Sequence, residues 1–405
     1  MFQFWENQTI MKINKISVKY HPTGVEIQDV MFEDTLSLLV GISGVGKTRI
    51  LNSIRDLIRV VQGEGVNGFE WTAEFEIKNS VYIWKGKFEY KEESPFSEIV
   101  RRFNYDAKPS EYTILNEYLF IDNKEVIKRS NNEIYFNGSK TLKLSSSKSI
   151  INLLNEEQDI ENISNAFKKI KYIDNNEYSE KFLSLAGTYF KEIINGDDIS
   201  LGFLRSLSYD VQSKLYLCQE KAPIYFADIV NVYKEIFPYV ESVKISLVTL
   251  GAELEGLDQI VISVKENGVD QWVNHNNIST GMMKTLIHLA YMYLSEQGTV
   301  FLIDEFENGF GVNCINSISN LVLNAGNDYQ FIMTSHHPYI INNIPVKKWK
   351  IVNRTKNIIT AESAIKHIDA SNHDAFIKLI NSNFYIQGID IKSKDNDLTE
   401  DDLYS

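Results

Sequence analysis

Eight residues constrain this chain more than any others. Between an apolar run, Thr35–Val40 (TLSLLV), and apolar residues at helical spacing (Ile50, Ile54, Leu57, Ile58) lies GISGVGKT, from Gly41 to Thr48. It matches G-x-x-x-x-G-K-[ST] in the context that pattern needs, a buried strand before it and an amphipathic helix after it. Gly41, Gly44 and Gly46 let the backbone curl so that its N–H groups point inward, and the helix N-terminus adds partial positive charge. Such a loop cradles phosphates. Lys47 is then expected to reach the β- and γ-phosphates of a nucleotide, Thr48 to hold Mg²⁺ through its hydroxyl, and Arg49 to stand beside them as a further nucleotide contact. The competing reading is a glycine-rich turn that matches by chance.

The remaining length bounds what surrounds this loop. A chain of 405 residues suits two or three domains, or one large α/β domain with an insertion. Hydrophobic residues at 43% and charged residues at 23% exclude wholesale disorder. Cys218 and Cys314 are too few for a disulfide framework or a four-cysteine zinc site, so a reducing compartment, the cytoplasm, is expected. No apolar run reaches transmembrane length, and MFQFWENQTIMKINK lacks the pattern of a signal peptide. With 54 acidic and 41 basic residues the net charge is −13, which argues against bulk attraction to DNA or anionic lipid and leaves a local basic groove open.

Periodicity divides the chain. Residues 11–19 and Val25–Met31 alternate as strands, and from Gly68 to about Leu144 short strand-like pieces (FEWTAEFEI, VYIWKGKFEY, LNEYLFI, EIYF) predict an antiparallel sheet. Between Ile150 and Pro238 apolar residues recur every three or four positions, including Ile160, Ile163, Phe167, Phe182, Leu185, Tyr189, Leu207, Val211 and Leu215. That spacing predicts short amphipathic helices without a sustained heptad. Strands return at residues 243–250, 259–265, 299–303, 330–334 and 349–352. The stretch from Lys392 to Ser405 is acidic and polar and reads as a frayed tail.

Three further motifs follow the loop in order. In TVFLIDE, Asp304 and Glu305 end an apolar strand at the edge where ligands sit in open α/β sheets. Asp304 suits Mg²⁺ and its water, and Glu305 suits a general base. In ISTGMMK, Ser279 reads as the N-cap of a helix from Lys284 to Leu294. In FIMTSHHP a buried strand ends at His336 and His337; by itself such a pair is structural or part of a metal site.

In this order the motifs resemble those of ABC-type ATPases, over residues 36–65 and 275–345. ISTGM is similar to the signature LSGGQ, with Thr280 and Met282 departing and Ser279 and Gly281 retained; the resemblance gives those two the γ-phosphate contact. His336 takes the place of the switch histidine, with His337 the alternative, and Glu307–Gly309 that of the D-loop. Gln158 is a candidate Q-loop residue by region only. IDEFENG, the degenerate signature, TSHHP and IFPYVESVKI resemble the SMC branch, closer to the overcoming-lysogenization-defect (OLD) group and to anti-phage ATPases such as those of PARIS and Septu systems.

The resemblance implies an α/β fold: an ABC-type (P-loop) ATPase head with a mixed central sheet, an antiparallel β lobe and a compact helical insertion. Its parts would be residues 1–149 with the phosphate loop and β lobe, a helical insertion at 150–240, the remainder of the head at 241–363, and a C-terminal helix and acidic tail at 364–405. It implies ATP and Mg²⁺ as ligands, and a homodimer or higher homo-oligomer closed head to tail on ATP. Only 68 residues follow His337, fewer than the OLD Toprim nuclease needs, so a nuclease or toxin effector is expected on a separate chain. The alternative function is an SMC-like DNA-clamping ATPase of repair or recombination. DNA contact would use local basic patches, Lys347, Lys348, Lys350, Arg354 and Lys356, or Lys168–Lys171 on a helix; solvated faces are the plain alternative. A transporter subunit is disfavoured by the signature, the missing LDEP and the insertion.

Overall fold

A computed structural model describes residues 10–93, 111–130, 133–173, 188–249, 258–326 and 328–367. The expected helical positions Phe182 and Leu185, and the C-terminal helix and tail beyond His367, lie outside them. The described residues form two compact units, a flanking unit of residues 10–170 and 332–367 and an inserted unit of residues 171–331.

The flanking unit runs β1 (Met11–Tyr20), β2 (Val25–Met31), β3 (Leu36–Val40), α1 (Lys47–Val61), β4 (Phe69–Ile77), β5 (Ser80–Phe88), β6 (Ile114–Ile121), β7 (Lys124–Ser130), β8 (Glu133–Phe136), β9 (Ser139–Lys140), α2 (Ile150–Leu153) and α3 (Gln158–Lys168). The inserted unit holds most of β10 (Ile170–Ile173), then α4 (Thr188–Asn195), α5 (Leu201–Ser206), α6 (Val211–Lys221), α7 (Pro223–Ile236), β11 (Val240–Thr249), β12 (Asp258–Glu266), β13 (Val273–Asn274), α8 (Thr280–Leu294), β14 (Val300–Ile303) and α9 (Val312–Asn324). The chain returns to the flanking unit along β15 (Gln330–Thr334) and adds α10 (Pro338–Asn343), β16 (Trp349–Thr355) and β17 (Ile358–Ser363).

In the flanking unit the strand order is β15-β3-β16-β17-β2-β1-β4-β5-β6-β7-β8-β9. β3 is buried at all five positions, as expected of a strand covered on both faces, and pairs in parallel with β16 (Leu38 opposite Trp349). β17 is antiparallel to β16 and parallel to β2, so the sheet is mixed. From β4 to β9 every pairing is antiparallel, the lobe that the alternation predicted. The alternate residues Phe69, Trp71, Ala73, Phe75 and Ile77 of β4 are buried. Trp71 meets Trp84 edge-on, and Phe167 of α3 packs its ring on Phe75 and Trp84. The Trp71 indole lies over Gly86, where a Cβ would stand 2.3 Å from it. In the inserted unit β11, β12 and β13 form an antiparallel sheet. β10 is a short strand inside the stretch read as wholly helical. Lys168–Lys171 therefore spans a helix end and a strand start rather than one helix.

One buried polar group organises the lobe. The Glu117 carboxylate, fully buried in β6, accepts hydrogen bonds from Trp84 Nε1 (3.1 Å), Ser149 Oγ and the N–H of Ile150 (2.9 Å), capping α2. Arg129 Nη1 lies 3.8 Å away and the guanidinium also donates to Lys148 O and Ser145 O. Burial pushes the Glu117 carboxyl up, against the pull of Arg129. Removing it strands a buried guanidinium and three donors. Glu117→Ala is expected to lower the stability of the flanking unit by about 3–5 kcal/mol, read from the urea midpoint of tryptophan fluorescence.

Candidate functional site

The flanking unit carries the phosphate loop. β3 ends at Val40, the loop follows, and α1 begins at Lys47. Gly44 (φ +80°) and Gly46 (φ +117°) take left-handed backbone angles that side chains resist, and a Cβ on Gly41 would stand 2.8 Å from Val352 O of β16. Lys47 is buried; its Nζ donates to Gly41 O (2.7 Å) and Ile42 O (3.1 Å), the carbonyls that open the loop. The N-terminus of α1 has no side-chain cap and no acidic residue in its first turn, so its N–H groups and partial charge face no competing anion of its own. Thr48 and Arg49 are exposed at that end. The N–H of Ser335, just past β15, donates to Leu39 O of β3 (3.4 Å), which sets exposed His336 at the strand ends that launch the loop. His337 N–H donates to Ser335 Oγ (3.1 Å). Gln158 is exposed at the start of α3.

The inserted unit carries the other motif residues. Ser279 caps α8, its Oγ accepting from the Met282 N–H (3.3 Å). Asp304 and Glu305 directly follow the fully buried β14, Asp304 half-buried and Glu305 exposed at φ +46°. A tight turn follows, closed by Asn308 N–H to Glu305 O (2.8 Å) and Phe310 N–H to Glu307 O (3.1 Å). The first turn of α8 presses on it: a Cβ on Gly281 would stand 3.1 Å from Gly309 O and 3.4 Å from Gly311 N. The glycine kept in the degenerate signature thus has a packing reason of its own.

Sequence reasoning missed the cations that hold α8. Lys284, almost fully buried, reaches the turn after β14. At the other end Arg205 Nε donates to Tyr293 O (2.8 Å), and Lys214 Nζ to Leu294 O (3.3 Å) and Arg205 O (2.6 Å). Burial, aided by Lys171, holds the Lys214 ammonium down to about 8. For Lys284 the signal in the sequence is a lysine on a largely apolar helix.

Of the basic patch at 345–356, Lys350 turns inward, Lys348 and Arg354 are half-buried, and Lys347 and Lys356 are exposed. Lys350 is buried against Glu33 (2.7 Å), Lys348 donates to Thr35 Oγ1 (2.7 Å), and Arg354 donates to Lys356 O (3.0 Å). Among the described residues no group of three or more His, Cys, Asp or Glu could hold a metal by itself. Mg²⁺ in such a site takes one or two protein oxygens together with substrate phosphates, and Thr48 and Asp304 fit that demand by type. No described helix is long and apolar enough to cross a membrane.

A mixed sheet whose buried strand runs through a glycine loop into an uncapped helix defines the class: a P-loop ATPase fold. The family described as "AAA domain, putative AbiEii toxin, Type IV TA system" matches residues 36–342, and the chain belongs to it. No curated protein matches the chain. Similar solved structures include an SMC head bound to the C-winged helix domain of ScpA, 11% identical over 88% of this chain and 99% of that one, with a TM-score of 0.44. An SMC head with an extended coiled coil, bound to the C-terminal domain of ScpA and derived from Pyrococcus furiosus, is 12% identical over 92% and 99% of the two chains (TM-score 0.41). The SMC head domain from Thermotoga maritima is 13% identical over 89% and 100% (TM-score 0.38).

His288 gives α8 a pH signature. Its ring is buried against Phe310 (5.0 Å between centroids) and Phe306, and Nδ1 meets Lys284 O at 2.9 Å. Burial, with the Lys284 charge second, holds its pKa down to about 3. A depressed pKa favours the neutral ring, so this stability is present above the unfolded value near 6.5 and drains as pH falls. Between pH 7 and 5 the inserted unit is expected to lose about 2 kcal/mol. His288→Phe should abolish that increment in denaturant midpoints taken at the two pH values.

Proposed function

We propose that this chain is an ABC-type ATPase that binds ATP with Mg²⁺, closes head to tail on a second copy, and hydrolyses ATP to ADP and phosphate. The observation that carries the proposal is the loop between β3 and α1, with left-handed Gly44 and Gly46, buried Lys47 and a helix N-terminus without a side-chain cap. Gly41, Gly44, Gly46, Lys47 and Arg49 bind the phosphates. Thr48 and Asp304 hold Mg²⁺, which when bound neutralises charge on the phosphate oxygens. Glu305 takes the proton of the water that attacks the γ-phosphate, and His336 steadies that phosphate. Ser279 and Gly281 act on the nucleotide of the second copy, as the resemblance to ABC-type signatures implies.

The wider role we assign is a nucleotide-gated sensor or scaffold that controls a separate effector, a nuclease or toxin, in anti-phage defence of the PARIS or Septu kind. The family's own description, which names a toxin–antitoxin system, supports a defence setting over DNA repair. The burial of Lys350 on Glu33 takes one charge out of the surface on which a DNA-clamping reading leaned.

Glu305→Gln is expected to keep nucleotide affinity, to lower the hydrolysis rate at least about 100-fold, and to accumulate an ATP-bound dimer seen by light scattering. Hydrolysis at the normal rate would remove Glu305 from catalysis. Lys47→Ala should abolish tight ATP binding in a titration calorimeter, and unchanged affinity would overturn the phosphate-loop reading. For the wider role, the measurement is co-purification of the chain with the product of a neighbouring gene, retained in Glu305→Gln.

A further inference from the structure

Lys284 is a buried cation on the one helix where a cation is hardest to explain. Most of its buried neighbours on α8 are apolar (Met282, Met283, Leu286, Ile287, Leu289 and Ala290), Thr285 and His288 being the polar exceptions, and Lys284 itself is 1% exposed. An ammonium there costs several kcal/mol unless it is compensated, and a methionine would fill the same volume without that cost. The compensation comes from one place. Nζ donates to Asn308 O and, at 3.4 Å, to Phe306 O, and it lies 4.5 Å from the centroid of the Phe310 ring. All three partners belong to the turn that follows Glu305. The side-chain stem runs along the same turn, its Cδ 3.6 Å from where a Cβ on Gly309 would stand.

We propose that Lys284 is a positioning residue that pins the turn Glu305–Phe310 to the signature helix, so that Glu305 and the Glu307–Gly309 segment are set in place by α8. This rests on the ATPase reading above. The connection is short. The Asn308 carbonyl holds the pin, and the Asn308 N–H closes on Glu305 O, the carbonyl of a residue already at φ +46°. A left-handed backbone at a glutamate persists only where its surroundings hold it, and Lys284 supplies that hold from outside the turn. The charged groups facing the ammonium are the Glu307 and Glu305 carboxylates, while the neighbouring His288 ring is neutral. Burial brings the ammonium down to about 7, with both carboxylates opposing.

The test compares Lys284→Met, which keeps the stem, with Lys284→Arg, which keeps cation and donors. Two readouts are needed: steady-state ATP hydrolysis with nucleotide affinity, and amide hydrogen exchange at Asn308 and Phe310. Lys284→Met is expected to leave nucleotide affinity within about twofold, to lower kcat about 100-fold, and to speed exchange of both amides at least about tenfold. Lys284→Arg should restore both readouts to within about fivefold of the native chain. Exchange and kcat unchanged in Lys284→Met would overturn the proposal and leave the ATPase reading intact. Faster exchange in Lys284→Met, in a protein whose native chain never hydrolyses ATP, would sink the ATPase reading and keep the pin. If Lys284→Met does not fold, the same measurements on Lys284→Gln decide. A chain that folds with neither side chain overturns the proposal, because the lysine then serves stability alone.

Discussion

A five-residue strand buried at every position needs partners for the backbone groups along both of its edges. β3 is such a strand, and its N–H and C=O groups must be satisfied on both sides. Its partners, β16 and β15, are encoded after the entire inserted unit. The flanking unit is therefore incomplete until the chain returns, and the phosphate loop is shaped by residues far from it in sequence. Val352 O of β16 leaves no room for a side chain at Gly41, and Ile359 of β17 lies where a Cβ on Gly46 would stand, 2.5 Å from its Cδ1. The loop geometry is a property of the completed sheet rather than of eight residues alone.

That dependence explains what the sequence reveals and what it hides. Gly41–Thr48 is readable because its glycines, lysine and flanking periodicities are local, and alternation in FEWTAEFEI exposes the lobe for the same reason. Ser279 is readable as a cap because capping is a three-residue event, and the structure bears it out. β10, β13 and β17 escape notice: none is a continuous apolar run or a long alternation, and each becomes a strand through its pairing in a sheet. Within the basic run at 345–356, the burial of Lys350 is hidden for a related reason. Charge is visible in sequence and burial is not, and Glu33, which neutralises Lys350, stands over three hundred positions earlier. The division of motif residues between two compact units is equally silent in the sequence, because chain order does not record where contacts cluster.

The inserted unit shows a related logic at its central helix. α8 is buried along most of its length, and side chains satisfy its terminal carbonyls. Arg205 and Lys214, from α5 and α6, donate to Tyr293 O and Leu294 O, and the Tyr329 hydroxyl donates to Met292 O (3.0 Å). At the opposite end Ser279 satisfies an N–H and Lys284 binds the turn after β14. The helix is thus tied by polar side chains at both ends.

These interior cations change the meaning of the net charge. Among the described residues the buried ionised groups are Lys47, Arg129, Lys214, Lys284 and Lys350, against a single carboxylate, Glu117. Among the described residues, positive charge is withdrawn into the interior more than negative charge. A polyanion approaching a chain of net charge −13 meets repulsion that salt can screen but not reverse. A partner with a basic face is favoured in its encounter rate by the same field. The electrostatics that hold the fold together therefore also set the sign of the field that a charged molecule meets.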